Sequence, residues 1–195
     1  MSGYDGMQRI SVVGNSGSGK TTAARQLAAL LDVPHVELDA IFHQPGWQEL
    51  PTAEFRDRVA RRTQEPAWVI DGNYNAVRDL VWSRADTVVW LDLPRRRVMW
   101  RVVRRTLARL VLRRELWDGN REPLSNVWSL DPQRSIIAWA WTQHESYRQR
   151  YGDAMSEDAN AHMRFIRITN EAELTALFDE AASTSRSGQH AGPGG

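Results

Sequence analysis

Short apolar runs alternate along this chain with longer segments whose apolar residues recur at helical spacing. The short runs predict five β-strands, at residues 10–13, 35–38, 68–70, 87–91 and 164–168. The helical spacing predicts helices at about 22–30, 52–65, 76–82, 95–114, 131–151 and 171–182. Strands that alternate with helices in this way are typical of an α/β fold, in which helices cover both faces of a parallel sheet. In such a sheet, ligands bind beyond the carboxyl ends of the strands.

Length and composition indicate one globular domain. The chain has 195 residues, of which 42% are hydrophobic and 25% charged, and we expect a single domain over residues 1–182. Residues 183–195 are rich in Ser and Gly, which predicts a disordered tail.

Charge and cysteine content narrow the possible functions. The net charge of +1 provides no global attraction to nucleic acid or membrane, and the absence of cysteine excludes disulfides and thiolate metal sites. The start of the chain does not read as a signal peptide, and no segment reaches the roughly 18 to 20 apolar residues of a membrane-spanning helix. We therefore expect a cytoplasmic protein without membrane contact, either a monomer or a homodimer.

The candidate chemistry is concentrated in GNSGSGKT, which runs from Gly14 to Thr21 between the first strand and the first helix. This spacing is that of a P-loop, whose backbone N–H groups hold phosphate with the help of the helix dipole. Lys20 can reach the β- and γ-phosphates of a nucleoside triphosphate, and the Thr21 hydroxyl can bind the accompanying Mg²⁺. The predicted nucleotide-binding residues are Gly14, Asn15, Ser16, Gly17, Ser18, Gly19, Lys20, Thr21 and Thr22. The alternative is a glycine-rich turn that binds no ligand.

Lys20 is the only lysine in the chain, since 24 of the 25 basic residues are arginine. A compact ammonium group on a flexible side chain fits a phosphate-binding loop differently from a planar guanidinium group. We interpret the retention of lysine here as a chemical requirement.

Acidic residues follow the other predicted strands. Glu37 and Asp39 lie at the end of the second strand, Asp71 follows the third and Asp92 follows the fourth. Because the carboxyl ends of parallel strands meet at one edge of the sheet, we expect these carboxylates near the P-loop. Asp92 precedes Leu-Pro, so it has an alternative role as a helix cap.

Four motifs together resemble the small P-loop kinases, the group that includes nucleoside monophosphate, shikimate and gluconate kinases. The motifs are GNSGSGKTT, LDAIFHQPGW, IDGNY and LDLP followed by spaced arginines. They are most similar to the branch described as adenylate kinase-related or DNA topology modulation proteins. The resemblance implies a three-layer P-loop NTPase fold with a five-stranded parallel sheet in the order 2-3-1-4-5. It also implies a short helical lid at about 105–130.

The resemblance assigns roles to the acidic residues. Asp39 falls where shikimate- and gluconate-type kinases hold the acceptor hydroxyl, so it would orient or deprotonate the nucleophile. Glu37 and Asp71 would lie near Mg²⁺, and Asp71 with Gly72 would also lie near the substrate. Asn73 occupies the next position of the predicted substrate site. Adenylate kinases have Phe-Pro-Arg after the Asp-Gly pair, and its absence here weakens the case for a monophosphate acceptor.

Arginines and an asparagine complete the site that the resemblance implies. Arg101 and Arg105 match adenylate kinase arginines that contact adenine and the transferring phosphate, and Asn170 matches the loop beside adenine. The segment 95–114 contains nine arginines in twenty residues. The alternative interpretation is that these arginines form a solvated basic face. A third interpretation is that they form a surface that binds nucleic acid.

Two residues of the LDAIFHQPGW segment are candidates for the acceptor pocket. Trp47 follows Pro-Gly and could line the pocket, although simple loop packing would also explain it. His43 could hydrogen-bond the substrate or could be ordinary polar surface.

Together, the sequence predicts an ATP- and Mg²⁺-dependent kinase that acts on a small acceptor bearing a hydroxyl or phosphate. The acceptor could be a nucleoside, a nucleotide, a polyol or a sugar acid. The alternative is a nucleotide-switched ATPase or binding protein that acts on nucleic acid.

Overall fold

The computed structural model describes residues 7–45, 48–100 and 136–189. The strands are β1 (Arg9–Gly14), β2 (His35–Glu37), β3 (His43–Gln44), β4 (Gln48–Glu49), β5 (Trp68–Asp71), β6 (Thr87–Leu91) and β7 (Arg164–Ile168). The helices are α1 (Lys20–Leu31), α2 (Leu38–Phe42), α3 (Thr52–Thr63), α4 (Asn75–Trp82), α5 (Ile136–Ser156) and α6 (Glu171–Gln189). Residues 95–100 are also helical, and Asp158–Asn160 form a 3-10 turn.

Five strands form a parallel sheet in the order β2-β5-β1-β6-β7. Two short strands that the sequence did not predict, β3 and β4, pair antiparallel in a separate hairpin. Counted within the five-stranded sheet alone, the order reads 2-3-1-4-5. The strand β1 is therefore central, and the loop that follows it emerges in the middle of the sheet edge.

The alternation of side chains along the strands produces two cores, one on each face of the sheet. Ile10 and Val12 of β1 pack in a cluster with α1 and α6 residues such as Leu27 and Leu177. On the other face, Val13 packs in a cluster with residues of β2, β5, α3, α4 and α5. Helices therefore cover both faces, which confirms the predicted α/β fold class.

The end of the chain differs from the expectation. The last helix, α6, continues to Gln189, so residues 183–189 are helical where the sequence predicted a disordered tail. Ser and Thr in this segment have only modestly lower helix propensity than Ala, and an established helix propagates more readily than it nucleates.

The helix α5 is attached to the sheet by buried polar and aromatic contacts. The Asp92 carboxylate is buried just beyond β6 and forms ion pairs with Arg148 of α5 and Arg167 of β7. Tyr151 of α5 lies against Trp90, with ring centroids 5.8 Å apart. Asp92 thus joins three elements at the edge of the sheet from which the P-loop emerges.

None of the helices in the described ranges combines the length and apolarity needed to cross a bilayer.

Gly72 provides a test of packing at this edge. Its φ is +146°, and a Cβ atom there would lie 2.7 Å from the Leu38 Cβ. We predict that Gly72→Ala lowers the free energy of unfolding by about 2–4 kcal/mol, through overpacking and backbone strain. Urea denaturation measures this effect.

Gly152 is the matched control for that substitution. It lies within α5, and nothing lies within 4 Å of a Cβ placed on it. Gly152→Ala should therefore stabilise the protein by about 1 kcal/mol, because alanine favours the helix. Equal effects of the two substitutions would contradict the contact between Gly72 and Leu38.

Candidate functional site

The loop between β1 and α1, the predicted phosphate cradle, turns at three glycines with positive φ. Gly14, Gly17 and Gly19 have φ values of +145°, +79° and +96°, a region that glycine adopts without steric cost. The Ser18 N–H donates to the Asn15 carbonyl at 3.1 Å, and the Ser16 N–H donates to Asn15 Oδ1 at 2.8 Å. The loop thus maintains its turn through its own hydrogen bonds.

Lys20 opens α1 and reaches back over this loop. Its Nζ donates to the Asn15 carbonyl at 3.1 Å, so the ammonium group lies at the mouth of the cradle. The N-cap residue of α1 is Gly19, which has no side chain to cap the helix. The first-turn N–H groups and the positive end of the helix dipole therefore face the loop, where an anion is favoured.

Thr21 and Asp71 meet beside the cradle. The Thr21 hydroxyl donates to Asp71 Oδ2 at 2.8 Å, and Asp71 Oδ1 lies 2.8 Å from Nε2 of His35. The Asp71 carboxylate is buried, and these two contacts offset the cost of burying its charge. The sequence had not singled out His35, although it shares a strand face with Glu37 two residues later, and that period of two was the available signal.

Glu37 lies opposite Asp71 in the pairing of β2 with β5. Burial raises the pKa of the Glu37 carboxyl above its ordinary value, and the charges of Asp71 and Asp39 raise it further. His35 and Arg25 act in the opposite direction, and Arg25 Nη2 lies 3.9 Å from Glu37 Oε2. The neighbouring carboxylates of Asp71 and Asp39 would favour a cation at this position.

The oxygen donors of Thr21, Glu37 and Asp71 fit the predicted Mg²⁺, which prefers hard oxygen ligands and usually keeps water and substrate phosphate as further ligands. Within residues 7–45, 48–100 and 136–189, no group of three or more His, Cys, Asp or Glu side chains is arranged to hold a metal ion. The described side chains alone therefore offer an incomplete ligand set, which nucleotide phosphates would complete.

Asp39 has different surroundings from Glu37 and Asp71. It is the second residue of α2 rather than the end of a strand, and its Oδ1 accepts a hydrogen bond of 2.7 Å from the Tyr74 hydroxyl. His43 Nε2 lies 3.5 Å from the same hydroxyl. Burial, followed by the charge of Asp39, raises the pKa of Tyr74 far above its ordinary value. Tyr74 therefore remains protonated and continues to donate to Asp39.

An aromatic cluster supports Tyr74. The rings of Phe42, Phe55 and Tyr74 contact one another, with centroids 4.9 to 5.2 Å apart. Tyr74 belongs to the IDGNY motif, but its partner Asp39 is 35 residues earlier in the chain. Periodicity within a segment could not identify that pair.

Two further residues of the predicted substrate site have structural contacts. Gly72 lies where Leu38 approaches too closely for any side chain. The Asn73 side chain hydrogen-bonds both backbone polar groups of Gly14, so it contacts the P-loop directly.

Asn170, predicted beside adenine, lies immediately before α6. Its Oδ1 accepts from the Glu173 N–H at 3.0 Å, and the Glu173 carboxylate accepts in turn from the Thr169 N–H. These reciprocal bonds satisfy N–H groups at the start of the helix. Asn170 thus caps α6 in the structure, and its contact with a nucleotide stays a prediction.

Several predicted features lie outside the described residues: Trp47, Arg101, Arg105 and the lid at about 105–130.

Comparisons with known proteins support the fold. A scan of protein-family models and a search of curated proteins gave no match. Among solved structures, the chain is similar to a shikimate kinase from Acinetobacter baumannii in complex with shikimate, with a TM-score of 0.54 and 19% identity, over 95% of this chain and 96% of the other. It is also similar to a gluconokinase from Sinorhizobium meliloti 1021, with a TM-score of 0.50 and 17% identity, over 92% of each chain. At these identities, the likeness shows that the chain has the fold of those two proteins.

The raised pKa of Glu37 has a consequence for stability. A carboxyl group whose pKa is raised by folding destabilises the folded state once the pH exceeds its unfolded value. We predict that Glu37→Gln, measured without nucleotide or metal, raises the melting temperature at pH 7.5. The free energy of unfolding should rise by on the order of 1 kcal/mol or less, because no charge is then buried at this position and Asp71 and Asp39 no longer face a third charge.

The control is the same comparison of the wild type with Glu37→Gln at acid pH. Near pH 4, Glu37 is protonated in the wild type, so the difference between the two melting temperatures should shrink. A stabilisation that is equal at both pH values would contradict an electrostatic origin.

Proposed function

We propose that this protein is a kinase that transfers the γ-phosphate of Mg-ATP to a small acceptor bearing a hydroxyl or phosphate. The observation that carries the proposal is the meeting of two groups at one sheet edge. One is the lysine-bearing loop with Thr21 and Asp71, and the other is Asp39 held by Tyr74. The first group suits a nucleoside triphosphate with its metal, and the second suits an acceptor.

The chemistry of each group supports this division. Backbone N–H groups and Lys20 would hold the phosphates, where negative charge develops on the transferring oxygens. Mg²⁺, when bound by Thr21 with Asp71 and Glu37 nearby, would neutralise part of that charge. Asp39 would accept the proton of the acceptor hydroxyl as its oxygen bonds to the γ-phosphorus and the bond to the β–γ bridging oxygen breaks. ADP is the leaving group.

The two similar structures add support, since one is named as a shikimate kinase and the other as a gluconokinase. Both names refer to small hydroxyl-bearing substrates. The membership of the DNA topology modulation branch stays a prediction, as do the catalytic roles of Arg101 and Arg105. The proposed cellular location is the cytoplasm.

The alternative function, nucleotide-switched binding to nucleic acid, depends on the arginines of the segment 95–114. Most of that segment lies outside the described residues. In the described part of the chain, no contact favours nucleic acid over a small acceptor.

A screen of acceptors tests the proposed function. We expect the purified protein with Mg-ATP to release ADP faster when one class of nucleosides, nucleotides, polyols or sugar acids is added. Lys20→Ala should lower ATP affinity by about 10- to 100-fold, because a charge-assisted bond contributes about 1.5–3 kcal/mol. If no acceptor raised ADP release above background, the kinase proposal would be wrong.

The role of Asp39 is tested separately from nucleotide binding. Asp39→Asn should lower kcat by about 10²- to 10⁴-fold, the range of general acid–base catalysis, while the Kd for ATP stays within about twofold. Tyr74→Phe retains the carboxylate and loses its donor, so a smaller fall of about tenfold is expected.

The matched control for Asp39→Asn is Asp57→Asn. Asp57 is exposed on α3 and pairs with Arg61, so its substitution should leave kcat unchanged. Retention of wild-type kcat in Asp39→Asn would remove Asp39 from the proposed mechanism.

A further inference from the structure

The Asn73 side chain bonds to the first glycine of the phosphate-binding loop through both of its polar atoms. Nδ2 donates to the Gly14 carbonyl at 2.5 Å, and Oδ1 accepts from the Gly14 N–H at 3.2 Å. One amide group thus satisfies both peptide groups of one loop residue. A side chain that only faced an acceptor would not have its amide committed in this way.

These bonds continue the ladder between β1 and β5. Asp71 pairs with Val12, and the Gly72 N–H donates to the Val12 carbonyl at 3.3 Å. The pairing of the two strands ends there, and the Asn73 amide supplies the next pair of hydrogen bonds to β1. At the start of the P-loop, the Asn73 side chain thus makes the hydrogen bonds to β1 that a further β5 backbone residue would otherwise make.

Gly14 is held on its other side as well. A Cβ atom on Gly14 would lie 2.6 Å from the Leu91 carbonyl oxygen of β6, so the backbones of β1 and β6 are in close contact there. With β6 on one side and Asn73 on the other, the first peptide of the loop has a fixed orientation. That orientation sets the direction of the N–H groups that follow.

The amide is itself held by the helix α5. The Tyr151 hydroxyl donates to Asn73 Oδ1 at 3.1 Å, and Tyr151 is buried. A hydrogen bond with Asn73 also acts on the Tyr147 hydroxyl, lowering a pKa that burial raises overall. The sequence predicts the lid at about 105–130, and α5 follows that segment in the chain. Asn73 therefore links the P-loop to the helix that continues from that segment.

We propose that Asn73 is a positioning residue for the phosphate-binding loop, that it acts through Gly14 on nucleotide affinity, and that Tyr151 holds it in place. This inference rests on the nucleotide site of the proposed function but needs no acceptor and no turnover. It gives the asparagine of IDGNY a role that the adenylate kinase pattern, with Phe-Pro-Arg after Asp-Gly, does not supply.

The test is the Kd for ATP with Mg²⁺, measured by calorimetry on the full chain without acceptor. Asn73→Asp should raise the Kd at least tenfold, because it places an oxygen against the Gly14 carbonyl and adds a negative charge beside the phosphates. Asn73→Ala should raise it severalfold without any added charge. Tyr151→Phe, which retains the ring and loses one bond, should raise it by a smaller factor.

Asn75→Asp is the matched control, because it adds the same charge two residues later. The Asn75 side chain accepts from Arg150 at 3.4 Å and is exposed. Its Kd for ATP should stay within twofold of the wild type. A thermal melt of each variant without nucleotide separates loss of affinity from loss of fold, and Tyr151→Phe keeps the test available if the Asn73 variants do not fold.

The outcomes separate this inference from the kinase proposal. If wild-type protein binds ATP and the Asn73 variants bind it equally well, the inference is wrong and the kinase proposal is unaffected. A raised acceptor KM with unchanged Kd for ATP would also overturn it and would assign Asn73 to the acceptor. If affinity depends on Asn73 as expected but no acceptor is phosphorylated, the inference stands and the kinase proposal fails. A wild-type protein that binds no ATP would overturn both.

Discussion

The site depends on a close approach of three backbone segments around Gly14. The strand β1 lies between β5 and β6, so the P-loop leaves the sheet with a neighbouring strand on each side. Only a residue without a side chain fits beside the Leu91 carbonyl, and the φ of +145° is one that glycine adopts readily. The Asn73 amide then satisfies the peptide groups that this turn removes from the ladder. The conformation of the loop at Gly14 thus depends on the packing of its neighbours as well as on its own glycines.

The second constraint is electrostatic. Burial raises the pKa of Glu37, and the charges of Asp71 and Asp39 raise it further. Such crowding of carboxylates costs free energy in the absence of a cation. The surrounding donors reduce that cost, since Thr21 and His35 contact Asp71 and Tyr74 donates to Asp39. A site that retains this repulsion before any ligand binds favours ligands that bring positive charge.

The sequence was sufficient for the features that depend on local pattern. The period of apolar residues predicted the five sheet strands, and the spacing of glycines around Lys20 predicted the cradle, because both are properties of contiguous residues. Contacts between segments that are distant in the chain could not be predicted from the sequence. The pairs of Asp39 with Tyr74 and of Asn73 with Gly14 join positions 35 and 59 residues apart. No periodicity encodes such pairs, so the sequence assigned Asn73 only by its place in a motif. The hairpin of β3 and β4 was missed because two-residue strands carry too little alternation to detect.

The short helix α2 explains how neighbouring acids come to have different surroundings. Had β2 continued through Asp39, that residue would share a strand face with Glu37 and point toward Asp71. Instead the chain turns into a helix at Leu38, whose side chain packs against Gly72. Asp39 is thereby directed to Tyr74, while Glu37 remains opposite Asp71 in the sheet. The close contact between Gly72 and Leu38 thus accompanies the different surroundings of Asp39 and of the pair Glu37 and Asp71.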